Sequence, residues 1–226
     1  MKTKVLILLL TATLFMNCNA QPVGSSFDPK SLGASPELVI ETTSGNITVK
    51  LYAETPQHRD NFLKLASTGY YDGVIFHRVI ARFMIQTGDP DSKQPEKGKM
   101  YGMGGPKERI PAEIIPGRYH KKGALAAARD NNPQKASSGS QFYMVQGNVF
   151  TLDELARYEQ QRGQPLTPEQ TALYTTVGGA PWLDGEYTVF GEVTEGLEII
   201  DRIAAVAKDR NDRPLDDIFI LRIMPK

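Results

Sequence analysis

The chain has 226 residues, with 26 Lys+Arg against 26 Asp+Glu, and hydrophobic residues make up 40%. That size fits one domain able to bury a core, and the balanced charge argues against a nucleic-acid binder. One Cys and three His build neither a disulfide framework nor a Cys/His zinc site.

Lys2 and Lys4, followed by the apolar stretch from Val5 to Met16, read as a secretory signal peptide over residues 1–20. The stretch is too short to span a bilayer, which takes roughly 20 apolar residues. Cys18-Asn19-Ala20 fits cleavage before Gln21; the alternative is lipid attachment at Cys18, as in a bacterial lipoprotein. Both endings imply export to a bacterial periplasm, with membrane contact only through such a lipid. Residues 21–36 are rich in Pro, Gly and Ser and read as a linker to a domain over 37–226.

Within that domain, Leu38-Val39-Ile40 and Ile47–Tyr52 flank a Ser44-Gly45-Asn46 turn. Thr55-Pro56 opens a helix with Thr as N-cap; Phe62, Leu65 and Ala66 repeat at helical spacing until Gly69. Further strands are expected at Val74–Val79, Phe83–Gln86, Ala124–Ala128, Gln141–Val145, Tyr187–Glu192 and Ile218–Met224. Residues 147–181 interrupt them with two capping boxes, at Thr151 and Thr167, and stops at Gly163 and Gly178. This predicts a short, polar helical insertion on the surface. Thr194 caps a last helix with Leu197, Ile200, Ile203 and Ala204 on its apolar face. Short strands plus two helices predict a mainly β barrel or sandwich.

If 76–86 forms two strands, Arg78, Met84 and Gln86 share one face, and Gln141 and Tyr143 alternate against Phe142 and Met144. An arginine among apolar strand residues is costly to bury unless it is paired or lines a wet groove. On periodicity alone the choice stays open between such a groove and an outward polar stripe.

The runs FHRVIARFMIQTGDP, GALAAARDNNPQKASSGSQFYMVQG and WLDGEYTVFGEVTEGLEIID decide it. They resemble, in order, the signature segments of the cyclophilins, from about Glu37 to the C-terminus. The resemblance implies a peptidyl-prolyl cis/trans isomerase on a closed eight-stranded antiparallel barrel capped by two helices. It also implies that Arg78 is catalytic and that Phe83, Met84 and Tyr143 wall a proline pocket. Gln86 and Gln141 match groove glutamines, Ala128 matches the position whose main chain pairs with substrate, and Trp182 and Leu183 match its far side. Tyr143, Tyr187 and Arg129 stand where the familiar eukaryotic pattern has Phe, His and Asn.

The chemistry implied is conformational. Resonance gives the prolyl peptide bond a barrier of roughly 18–20 kcal/mol. A guanidinium bonded to the prolyl nitrogen as it pyramidalises acts only on the twisted state, and only such differential binding raises a rate. No metal or cofactor is expected. The implied partners are proline-containing unfolded or extended polypeptides, with no nucleic acid, and the chain is expected to be a monomer. A rival reading is a non-catalytic chaperone or peptide-binding module using the same groove.

Overall fold

A computed structural model of the chain describes residues 26–226. The expected signal peptide, Cys18 and the start of the expected linker lie outside the described residues. The rest of the expected linker is docked: Phe27 and Leu32 pack on the core around a 3-10 turn at Pro29–Ser31, and Arg59 donates to Ala34 O.

Eight strands form one antiparallel sheet: β1 Glu37–Thr42, β2 Gly45–Leu51, β3 Arg78–Ile80, β4 Met84–Thr87, β5 Ala124–Ala127, β6 Phe142–Val145, β7 Val189–Glu195 and β8 Ile220–Pro225. Their order across the sheet is β3-β4-β6-β5-β7-β2-β1-β8. The curled sheet meets itself through Gly73 N→Ile220 O, Ile220 N→Val74 O and Phe76 N→Ile218 O. The expected strand Val74–Val79 is therefore split. Its first half makes this seam, with one bridge at Ile75, and only Arg78 onward joins the ladder.

Alternation along the strands sorts side chains into two clusters. Val79, Ile85, Leu125, Phe142 and Met144 enter the main core; Met84, Ala126, Tyr143 and Val145 face the other way with Leu183 and Val189. Two helices cover the core. In α1 (Pro56–Ser67) Phe62 meets the rings of Tyr71, Phe142 and Phe190 at 5.2–5.6 Å. In α4 (Leu197–Ala204) the buried face is Ile199, Ile200, Ile203 and Ala204, so Ile199 takes the place expected of the exposed Leu197.

Two caps depart from expectation. Thr55 occupies the N-cap of α1, but its hydroxyl turns back to Tyr52 O. Glu113 instead accepts from the main-chain N–H of Gln57 and His58 at 3.0 Å and reaches His58 Nδ1 at 2.6 Å. A carboxylate at that helix end satisfies two otherwise unpaired N–H groups and complements the helix dipole. Thr194 lies inside β7; Gly196, at φ 89°, is the N-cap of α4.

The insertion forms as expected. Helices α2 (Leu152–Arg162) and α3 (Pro168–Thr176) each begin with a complete capping box, and Gly163 ends α2 in the left-handed conformation. The pair is not wholly superficial, because Leu155, Leu166 and Tyr174 make a small core of their own with Phe150 and Tyr158. Its two feet cross between Asn148 and Gly179, and Gly179 also pairs with Lys121. A Cβ on Gly179 would sit 2.2 Å from His120 O, so only glycine permits this crossing.

Candidate active site

The register of three strands builds the site. Arg78 lies opposite Gln86, Gln86 opposite Tyr143, and Ile80 opposite Met84. The expected shared face of Arg78, Met84 and Gln86 is therefore real, and Tyr143 joins it from β6. Phe83 arrives from the tight turn between β3 and β4, and Leu183 from a 3-10 turn just after the insertion.

These side chains enclose a pocket of about 100 Å³ lined by Arg78, Phe83, Met84, Gln86, Ala128, Arg129, Tyr143, Leu183 and Tyr187. Nine of the eleven expected site residues thus meet in one place, where Arg78 and Arg129 share the lining with six apolar or aromatic residues. Arg78 is half-buried, and the buried Met84, Tyr143 and Leu183 make the pocket's inner surface.

The other two stand beside the pocket. Trp182 is 41% exposed and packs its ring 5.5 Å from Phe83, backing the wall at the rim. Gln141 lines a neighbouring cavity of about 290 Å³ that also takes in Gly104, Arg109 and Ser138. Gln86, Ala128 and Arg129 border both cavities, so the two form one continuous groove.

A directed hydrogen-bond chain runs between them. Arg78 Nη1 donates to Gln86 Oε1 at 3.4 Å, Gln86 Nε2 to Gln141 Oε1 at 3.1 Å, and Gln141 Nε2 to Gly104 O at 2.8 Å. Arginine only donates and a carbonyl only accepts, so the orientation of both amides follows from the two ends. Asp89 pins the far end by accepting from the N–H groups of Gly102 and Gly104. The chain uses one of the five guanidinium N–H groups.

Ala128 does not offer the main-chain edge expected of it. Its N–H donates to Gln141 O and its carbonyl accepts from Ser138 N. The edge left free is at the next residue: the main-chain N–H and C=O of Arg129 carry no hydrogen bond among the described residues. The Arg129 side chain donates to Glu186 O at 2.9 Å and lies 4.6 Å over the Tyr187 ring. Arg129 and Tyr187, two of the three departures from the common pattern, therefore stabilise each other by stacking. The third, Tyr143, is buried, and burial pushes its phenol well above its ordinary pKa, so it stays protonated.

Sequence reasoning missed His120 and Asp184, which support Tyr143 from behind. The available signal was Tyr143 itself, because a phenol in an apolar wall requires a buried hydrogen-bond partner. Nothing local in the sequence says which residue that partner is.

Comparison with known proteins agrees with this geometry. Residues 37–224 match the family model described as cyclophilin type peptidyl-prolyl cis-trans isomerase/CLD. A peptidyl-prolyl cis-trans isomerase-like 1 of Aspergillus fumigatus is 33% identical over 187 residues, covering 82% of this chain and 92% of that protein. A putative peptidyl-prolyl cis-trans isomerase of Staphylococcus saprophyticus is 37% identical, covering 81% and 88%. A putative bifunctional phosphatase/peptidyl-prolyl cis-trans isomerase of Streptococcus pyogenes is 38% identical over 82% of this chain, which spans 37% of that longer protein. Among solved structures, a cyclophilin-type isomerase of Cryptosporidium parvum has TM-score 0.62 at 26% identity, covering 85% of this chain and 98% of that one. The same protein in the presence of the dipeptide Ala-Pro has TM-score 0.60. With strand order, pocket and sequence in agreement, the chain belongs to the cyclophilin-type peptidyl-prolyl cis-trans isomerases.

Proposed function

We propose that this chain isomerises X–Pro bonds in extended or unfolded polypeptides outside the cytoplasm, with Arg78 acting on the prolyl nitrogen. The observation that carries the reading is Arg78 lining the same small pocket as Phe83, Met84, Tyr143 and Leu183. The apolar walls hold the pyrrolidine ring while the preceding carbonyl swings. Twisting removes amide resonance and leaves a lone pair on nitrogen, and Arg78 donates to that lone pair. A water-poor pocket strengthens this bond and withholds solvent from the planar, charge-separated amide. The free main-chain edge of Arg129 suits an extended peptide lying across the groove. The Ala-Pro dipeptide used with the related parasite structure supports a prolyl ligand. Export rests on residues 1–20.

Two measurements on the expressed protein test this reading. At sub-stoichiometric amounts it should bring prolyl exchange in a short peptide well below the uncatalysed tens of seconds. Binding without acceleration would make it a holding module instead. Mass analysis should find the N-terminus at Gln21 or a lipid on Cys18; a retained Met1 would remove the export part.

A further inference from the structure

Tyr143 places a phenol in the wall of the pocket, and its hydroxyl is buried with the ring. Such a group left unpaired costs about 1–3 kcal/mol. Its partner is His120 Nε2 at 3.1 Å, with the two rings 14° from parallel. His120 is itself fully buried, and its Nδ1 lies 3.1 Å from Asp184 Oδ1. A carboxylate only accepts, so in the neutral ring the proton sits on Nδ1 and Nε2 accepts from Tyr143. The hydroxyl is thereby directed away from the pocket, which receives the carbon face of the ring.

Asp184 carries the chain onward into the insertion. Its Oδ2 accepts from Tyr174 Oη at 2.7 Å and from Gln170 Nε2 at 2.9 Å, both buried side chains of α3. The main-chain N–H of His120 adds a bond to Oδ1 at 2.8 Å. Burial of Asp184 works to raise its pKa, but these donors outweigh it and hold the group below the ordinary carboxylate range. The insertion's neck touches the same residue, since Ala180 N donates to His120 O at 2.8 Å. A displacement of α3 therefore reaches the pocket wall through only two intervening side chains. Buried, fully satisfied networks of this kind transmit changes because each bond fixes the polarity of the next.

We propose that His120 and Asp184 are positioning residues of the prolyl pocket, through which the inserted helices set the Tyr143 wall and thus the turnover rate. The proposal rests on the reading of this pocket as the prolyl site. It gives the insertion a role in the reaction, beyond decoration of the surface, and gives Tyr143 a reason to carry a hydroxyl.

A double-mutant cycle in the full chain tests it, with kcat and KM measured separately on a prolyl peptide. Tyr174→Phe removes one bond to Asp184 and nothing from the pocket. It should lower kcat roughly fivefold with KM nearly unchanged, whereas in the Tyr143→Phe background the same change should alter kcat less than about twofold. Thermal unfolding of each variant separates this from general destabilisation. If Tyr174→Phe folds poorly, Gln170→Met from the same helix replaces it in the cycle, with the same pattern expected. An unchanged kcat in Tyr174→Phe, or effects that simply multiply in the double variant, would overturn the coupling while leaving an active wild type in place. A wild type without isomerase activity would remove the underlying reading and the coupling with it.

Discussion

Replacing Arg78 by alanine should lower kcat/KM for a prolyl peptide by about a hundredfold while the chain stays folded. The expectation follows from where the side chain sits. Arg78 lies on β3, and among the described residues its one side-chain hydrogen bond is the long 3.4 Å contact to Gln86. Removing it takes no apolar group from the main core, so unfolding should change little. The loss should fall mainly on kcat, because in the proposed mechanism the guanidinium meets the prolyl nitrogen only in the twisted state. Arg78→Lys should recover only part of the rate. An ammonium cannot bond Gln86 and the imide together in the planar fork geometry that Arg78 offers. A chymotrypsin-coupled assay, with circular dichroism as the folding control, checks both variants. Full activity in the folded alanine variant would remove Arg78 from the mechanism.

A second large effect concerns stability in mild acid and comes from His77. This imidazole precedes β3, is 4% exposed, and neither ring nitrogen has a hydrogen-bond partner among the described residues. Burial drives its pKa down from 6.5 to about 4, with Asp89 pulling upward and Arg78 pushing further down. In the unfolded chain the same ring takes a proton near pH 6.5. Between those two values only the unfolded state binds the proton, so acid favours unfolding. The stabilising effect of a neutral ring is present above pH 6.5 and is lost as pH falls toward 4. At pH 5 the expected loss from this one group is about 2 kcal/mol relative to pH 7. His58, lowered chiefly by burial against the opposing pull of Glu113, adds to the same slope. The diagnostic is therefore a comparison. Urea unfolding at pH 7 and pH 5 should show a clearly smaller loss in His77→Leu than in the wild type. Equal losses in both chains would mean that His77 is hydrated or paired in the folded protein. Glu113 and Asp184, both held below the ordinary carboxylate range by their hydrogen bonds, act only at lower pH.

What the sequence made legible was local or periodic. The parity of Arg78, Met84 and Gln86 needed only the two-residue repeat of a strand, and the ladder has that register. The capping boxes at Thr151 and Thr167 are written within four residues, and both are fully formed. What stayed hidden joins distant parts of the chain. Glu113 caps a helix more than fifty residues away, and Asp184 gathers donors from His120, Gln170 and Tyr174. No spacing rule reports such pairings, because they follow from the closed sheet. The Ala128 edge failed for a similar reason: the turn returning through Ser138 and Gln141 had already taken its hydrogen bonds. Residues 26–36 looked like linker by composition, yet Phe27 and Leu32 supply enough apolar surface to dock the segment beside α1.

The most direct test of the central claim is a crystal structure with a bound X–Pro peptide. The pyrrolidine ring should enter the pocket of Phe83, Met84, Tyr143 and Leu183, with an Arg78 N–H within hydrogen-bond reach of the prolyl nitrogen. A ring seated in the neighbouring cavity beside Gly104 and Arg109, or an Arg78 side chain turned away from the imide, would contradict it.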